Sequence, residues 1–279
     1  MKLEITKTDF ERAVPAAREP KGRIFDVLQD AVRQKLDAIG SSLLGDPGIA
    51  AVEDSGSVMG AVLRPLVIQT ACVMAFIEQM RGLDLVLTAT GFGVVSTQDT
   101  APASKMRVDA LEAELRRKGC LLTSDIVTHL FRVEGWCDTE QRLMCVPTLF
   151  YRFLMLEQYA AIPNPQPDDW ARNVPAMLAA DSSLRKRISY GYMDELLRQM
   201  TSATISSDNR PVVMLCQRFI GAWIAQNRQL RDEIHMQIIN RLEADTSLYP
   251  TYADSEAYRL NHFTPYENHA EDSAFHFVG

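Results

Sequence analysis

Apolar residues recur along the chain mostly at steps of three and four. Phe25, Leu28, Val32, Leu36 and Ile39 predict an amphipathic helix from about Lys21 to near Gly40. A second helix is predicted from about Pro65 to Met80. Val67, Ile68, Val73, Met74, Phe76 and Ile77 make it apolar on nearly every side, as a central buried helix requires. Between the two, Gly45 to Ser57 gathers Gly, Pro, Asp and Ser and predicts a loop. The helical pattern breaks from Leu83 to Val95. Leu85-Val86-Leu87-Thr88 and Val94-Val95 favour extended structure, and Gly91 and Gly93 lie between them, so a β-hairpin is expected near residues 84–96.

Downstream, Val108, Leu111 and Leu115 form the stripe of a helix that Ser104, or Thr100 with Pro102, can cap. Opposite charges at Lys105–Asp109, Glu112–Arg116 and Glu114–Lys118 support it, and Gly119 offers a left-handed stop. Further helices are expected over Ser124–Val133, over Thr139–Tyr159 with an interruption at Pro147, and from near Trp170 under an Asp168–Asp169 cap. Ser182–Met200, weakened at Gly191, and a long run from about Pro211 through Ile238 complete the set. The proline-rich stretch Ile162–Pro167 divides a lobe of residues 1–162 from one of 168–244, unless all is one domain. Periodicity ends near Ala244, leaving residues 245–279 as an aromatic tail. The expected fold is mainly α: a multi-helix bundle with a small β-hairpin and an extended, irregular C-terminal tail.

Charge sharpens the view of that tail. The 279 residues carry 36 acidic and 29 basic side chains, a net −7. Residues 232–279 hold nine acids against two arginines, a difference of −7, so the body before them is neutral. No basic stripe runs along the chain, which disfavours DNA wrapping and sequence-specific nucleic-acid contacts. The most apolar stretch, Leu66–Ile77, is short for a membrane span, and the N-terminus lacks the apolar core of a secretion signal. Five scattered cysteines without CxxC pairing read as reduced thiols. The tail either lies back over its own helices or docks on a neighbouring subunit through tyrosine and phenylalanine anchors.

Candidate chemistry is sparse. Gly91-Phe92-Gly93 lacks the third glycine of a dinucleotide turn, since Ser96 stands there, and no Gly-Lys-Ser/Thr follows. His262, His269 and His276 are spaced by seven and would meet on a metal only if the tail folded back, so surface or packing roles are expected. His129, Asp125 and Cys137 could in principle be gathered into an active site, but no local signature marks them. Neither a cofactor nor a metal is expected.

The run Leu85–Leu115, LVLTATGFGVVSTQDTAPASKMRVDALEAEL, and the segment Leu248–Gly279, LYPTYADSEAYRLNHFTPYENHAEDSAFHFVG, resemble an uncharacterised family of about this length encoded by phages and prophages of gut bacteria. The resemblance implies a virion assembly protein of the head–tail connector or neck type, without catalytic residues. It implies a homo-oligomer, such as a ring, that meets portal or tail components and no membrane. It would be found in the host bacterial cytoplasm during assembly and then in the virion. On that reading the adhesive candidates are Phe92 in the glycine run and Tyr249, Tyr252, Phe263, Tyr266 and Phe277 in the tail. A monomeric cytosolic protein-binding module and an enzyme with a scattered site are the alternatives.

Overall fold

A computed structural model of the chain describes residues 1–18, 23–83, 85–88, 91–94 and 104–263, with residues 85–88 and 91–94 described by their backbone alone. The body is helical, as the apolar spacing requires. Helix α1 (Lys7–Ala13) opens with a reciprocal cap between Thr6 and Asp9. Helix α2 (Arg23–Ile39) buries Phe25, Leu28, Val32, Leu36 and Ile39 on one face. Helix α3 (Gly45–Glu53) and helix α4 (Val58–Gln79) follow, with a wide five-residue turn at Gly40–Leu44 before α3. α4 packs against α1, α2 and α3. Together with the short turn after it, α4 spans 25 residues and is long and apolar enough to cross a membrane. That corrects the expectation of a stretch too short to span. More than half of its most apolar window is buried inside the protein, which accounts for the composition without a bilayer.

The segment Gly45–Ser57 is mostly helix rather than loop. Its glycines mark contacts: a Cβ on Gly48 would lie 3.1 Å from Leu130 Cδ2. Arg64 closes the end of α3 from a full helix away, donating to the Val52 carbonyl at 3.0 Å and the Glu53 carbonyl at 3.0 Å. Those are the carbonyls a helix end leaves without partners. After α4, Leu85–Thr88 pairs antiparallel with Gly91–Val94, Leu85 opposite Val94 and Thr88 opposite Gly91. Helix α5 (Lys105–Leu130) then runs straight through Gly119, which stops nothing, and absorbs the separate helix expected from Ser124.

The middle of the chain is less regular than its pattern suggests. Helix α6 (Glu140–Cys145) ends before Pro147, and helix α7 (Met155–Tyr159) begins only after an irregular stretch. That stretch is held from both sides. The Phe153 amide donates to Ser124 Oγ on α5 at 3.1 Å, and the Gln217 amide donates to the Leu149 carbonyl at 3.1 Å. Helix α8 (Pro167–Arg187) starts on Pro167, with Asp169 accepting from the Gln166 amide at 2.7 Å. The helix expected over 182–200 is broken at Ser189, whose extended backbone and hydroxyl cap helix α9 (Tyr190–Thr201). Likewise the long run from Pro211 divides into helix α10 (Asn209–Ile224) and helix α11 (Arg228–Ala244). Buried apolar residues from Leu3 to Tyr252 form one continuous core.

The tail requires the largest correction. Over its described part it is neither extended nor irregular. A short turn at Thr246–Leu248, helix α12 (Pro250–Ala253) and helix α13 (Glu256–Asn261) fold it back onto the body. Tyr192 on α9 is the anchor: its ring lies 6.1 Å from that of Tyr249 and 6.3 Å from that of Tyr252. The Tyr192 hydroxyl donates to Asn209 Oδ1 at 2.7 Å, and the Tyr249 hydroxyl donates to the Asp208 carbonyl at 3.4 Å. Aromatic rings in this geometry add favourable contact beyond their buried area.

Candidate functional site

A cleft of about 780 Å³ opens where α2, α4, α5, α6 and the first turn of α8 meet. Its position follows from the helices that make it. α5 is long enough to carry residues from Glu112 to Val127 along one wall. Gly119 sits in the middle of that wall. A Cβ built on it would meet nothing within 4 Å, so the missing side chain leaves room in the cleft. Opposite, Met74 and Ile77 project from α4. Trp170, one helical turn into α8, packs against Phe150 and Phe153, each with ring centroids 6.3 Å away. Tyr151 stacks obliquely on Phe131 at 4.9 Å.

The floor is apolar and aromatic, and its polar atoms are turned to internal partners. The Thr123 hydroxyl donates back to the Gly119 carbonyl at 2.9 Å, and Ser124 Oγ holds the Phe153 amide. Two thiols, Cys120 and Cys145, line the same space. Burial pushes both thiols above their ordinary pKa, so they stay protonated and poorly nucleophilic at neutral pH. Burial likewise raises the Tyr151 phenol. The rim is charged but internally matched. Lys35 pairs with Glu78 at 2.9 Å. Arg81 donates to Glu112 at 2.7 Å and to Asp109 at 2.8 Å, and Arg116 donates to the other Glu112 oxygen at 2.9 Å. Those two guanidinium hydrogen bonds, that from Arg81 first, hold the Glu112 carboxyl below its usual range. The whole is suited to gripping an apolar or aromatic group while charged side chains ring the entrance.

The residues expected to be adhesive fall in different places. Tyr249 and Tyr252 are buried in the protomer's own core, 2% and 0% exposed, so they are no free contact surface. The reason is the Tyr192 cluster, whose partner lies more than fifty residues away in sequence. Phe263 is 71% exposed, and Leu260 beside it is 69% exposed. Tyr266 and Phe277 lie outside the described residues, and of Phe92 only the strand backbone is described. His262 stacks on Tyr258 at 4.1 Å with Nε2 3.5 Å from Glu243, while His269 and His276 lie outside the described residues. Among the described residues no three metal-ligating side chains converge. Asp125 faces Arg152 at 3.9 Å, burial raises the Cys137 thiol, and neither they nor His129 line the cleft.

The apolar pattern of the chain does not show the cleft. Two signals pointed to it: a glycine in the middle of a well-paired helix, and a tryptophan in a first turn otherwise rich in charge.

Comparison with known proteins adds one match. A family of unknown function (DUF6712) matches residues 24–143, less than half of the chain. The matched stretch runs from α2 into the start of α6 and carries α2, α4 and α5, three of the five helices around the cleft. No curated protein matches the chain, and no solved structure does.

Proposed function

We propose that this chain is a virion assembly protein of phage or prophage origin, of the head–tail connector or neck type, working through protein contacts in a homo-oligomer. The supporting observation is the open cleft with an aromatic and aliphatic floor, protonated thiols and a rim of matched ion pairs. Such a surface binds by burying side chains from a partner, as the anchors of protein interfaces do. The exposed Leu260 and Phe263 supply a second apolar surface at the end of the described chain. Two different surfaces on one protomer are the requirement for head-to-tail association into a ring. Its partners beyond itself would be portal or tail components, met in the host cytoplasm during assembly and retained in the virion. Native mass measured from low to high protein concentration tests the reading. Discrete multimers of the 31.3 kDa chain are expected. A protomer that stays single at every concentration would exclude it.

A further inference from the structure

We infer that the cleft receives the C-terminal segment 264–279 of a neighbouring copy, so that each protomer gives its tail to one neighbour and accepts the tail of another. The inference rests on the assembly reading above and names the contact that would make it. Three observations carry it. The first is the placement of the two surfaces along α8. Pro167 and Trp170, at its start, line the cleft. Lys186 and Arg187, at its end, line a groove with Leu260 and Asn261 of α13, from which the tail departs. Sixteen residues of helix separate Trp170 from Lys186, about 24 Å at 1.5 Å per residue. A donor surface and an acceptor surface at opposite ends of one helix are two different surfaces, as a heterologous contact that repeats from copy to copy requires.

The second is the chemistry of the segment. Residues 264–279 contain Tyr266, Phe275 and Phe277 as large apolar side chains, and Glu267, Glu271 and Asp272 as charges, with no Lys or Arg. In an extended conformation Phe275 and Phe277 share one face, so both can enter one cleft together. Aromatic floor and aromatic anchors match in kind.

The third is charge. The cleft rim carries the guanidinium groups of Arg81 and Arg116, which share the carboxylates of Glu112 and Asp109, beside the Lys35–Glu78 pair. Arg81 and Arg116 each remain at least half exposed and so are open to a further carboxylate. The tail brings three acids to that rim, and like charges would otherwise keep acidic segments apart.

The test uses the full chain with a photo-crosslinking residue at position 277 (Phe277→p-benzoylphenylalanine). Isotopically light and heavy protein are mixed, irradiated and mapped by mass spectrometry. Light-to-heavy links onto cleft residues such as Met74, Met144 or Trp170 are expected. Two substitutions report on the same contact from its two sides, Gly119→Leu in the cleft and Phe277→Ala in the tail. Each is expected to raise the concentration for half-assembly about tenfold or more while the far-UV spectrum is kept. Links within one copy only, links to another surface, or unchanged assembly in Phe277→Ala would overturn the inference. If wild-type protein still forms multimers in that case, the assembly reading stands without it. If wild-type protein is a single protomer throughout, both fail.

Discussion

Replacing Tyr252 by alanine tests whether the tail belongs to the protomer's own core. Tyr252 is fully buried, with its ring 6.3 Å from Tyr192 and 5.3 Å from Tyr258, and its hydroxyl donates to Glu243 at 3.3 Å. Truncating a buried aromatic costs about 3–5 kcal/mol, counting the lost transfer energy and the cavity left behind. Tyr252→Phe keeps the ring and removes only the hydroxyl, so its cost should be near that of one hydrogen bond to a charged group, about 1.5–3 kcal/mol. Urea unfolding followed by far-UV circular dichroism measures both. A midpoint lowered by about 1–2 M is expected for Tyr252→Ala at a urea slope of about 3 kcal/mol/M, the upper end of the usual range and fitting for a chain of this size. The deficit relative to wild type should be the same at low and high protein concentration, because the ring packs inside one chain. A loss below about 1 kcal/mol, far under the usual cost of such a truncation, would refute the reasoning, and so would one that disappears on dilution.

Three further outcomes follow from the structure. Gly221→Ala should destabilise by about 1–3 kcal/mol or more in the same assay, because a Cβ there would lie 2.5 Å from the Tyr159 carbonyl oxygen and overpacks the α7–α10 contact. Gly119→Ala should do the opposite and stabilise by about 0.5–1 kcal/mol, since alanine favours the helix interior and its Cβ meets open space; a lower melting temperature would contradict this. His235, half-buried on α11, has its pKa lowered from 6.5, first by burial and then by Arg187. The unfolded chain therefore binds the proton more readily, so this group's contribution is present above about pH 6.5 and is lost as pH falls through the folded pKa. His235→Gln should flatten that part of the melting temperature against pH, and identical slopes in both proteins would remove His235 as its source.

How far the sequence speaks depends on whether the deciding contact is local. α2 and α10 are legible because Phe25 to Ile39 and Val212 to Phe219 repeat at helical spacing, and that spacing alone selects the face that is buried. Where a partner lies far off in sequence, local rules mislead. Gly48 looks like a loop residue until Leu130 packs over it, and the end of α3 is closed by Arg64. Gly119 carries the signature of a helix stop, yet the helix continues because α4 supports it from the side. The tyrosines after Ala244 have no period, and Tyr192, on another helix, draws Tyr249 and Tyr252 into the core. The cleft draws its lining from five separate helices, so no window of the chain contains it.

The central claim is that this protein acts by assembling with copies of itself. Direct imaging of the 279-residue chain at high concentration by electron microscopy tests it most simply. Closed rings of uniform subunit number are predicted. Fields of single 31.3 kDa particles, with no larger species at any concentration, would contradict it.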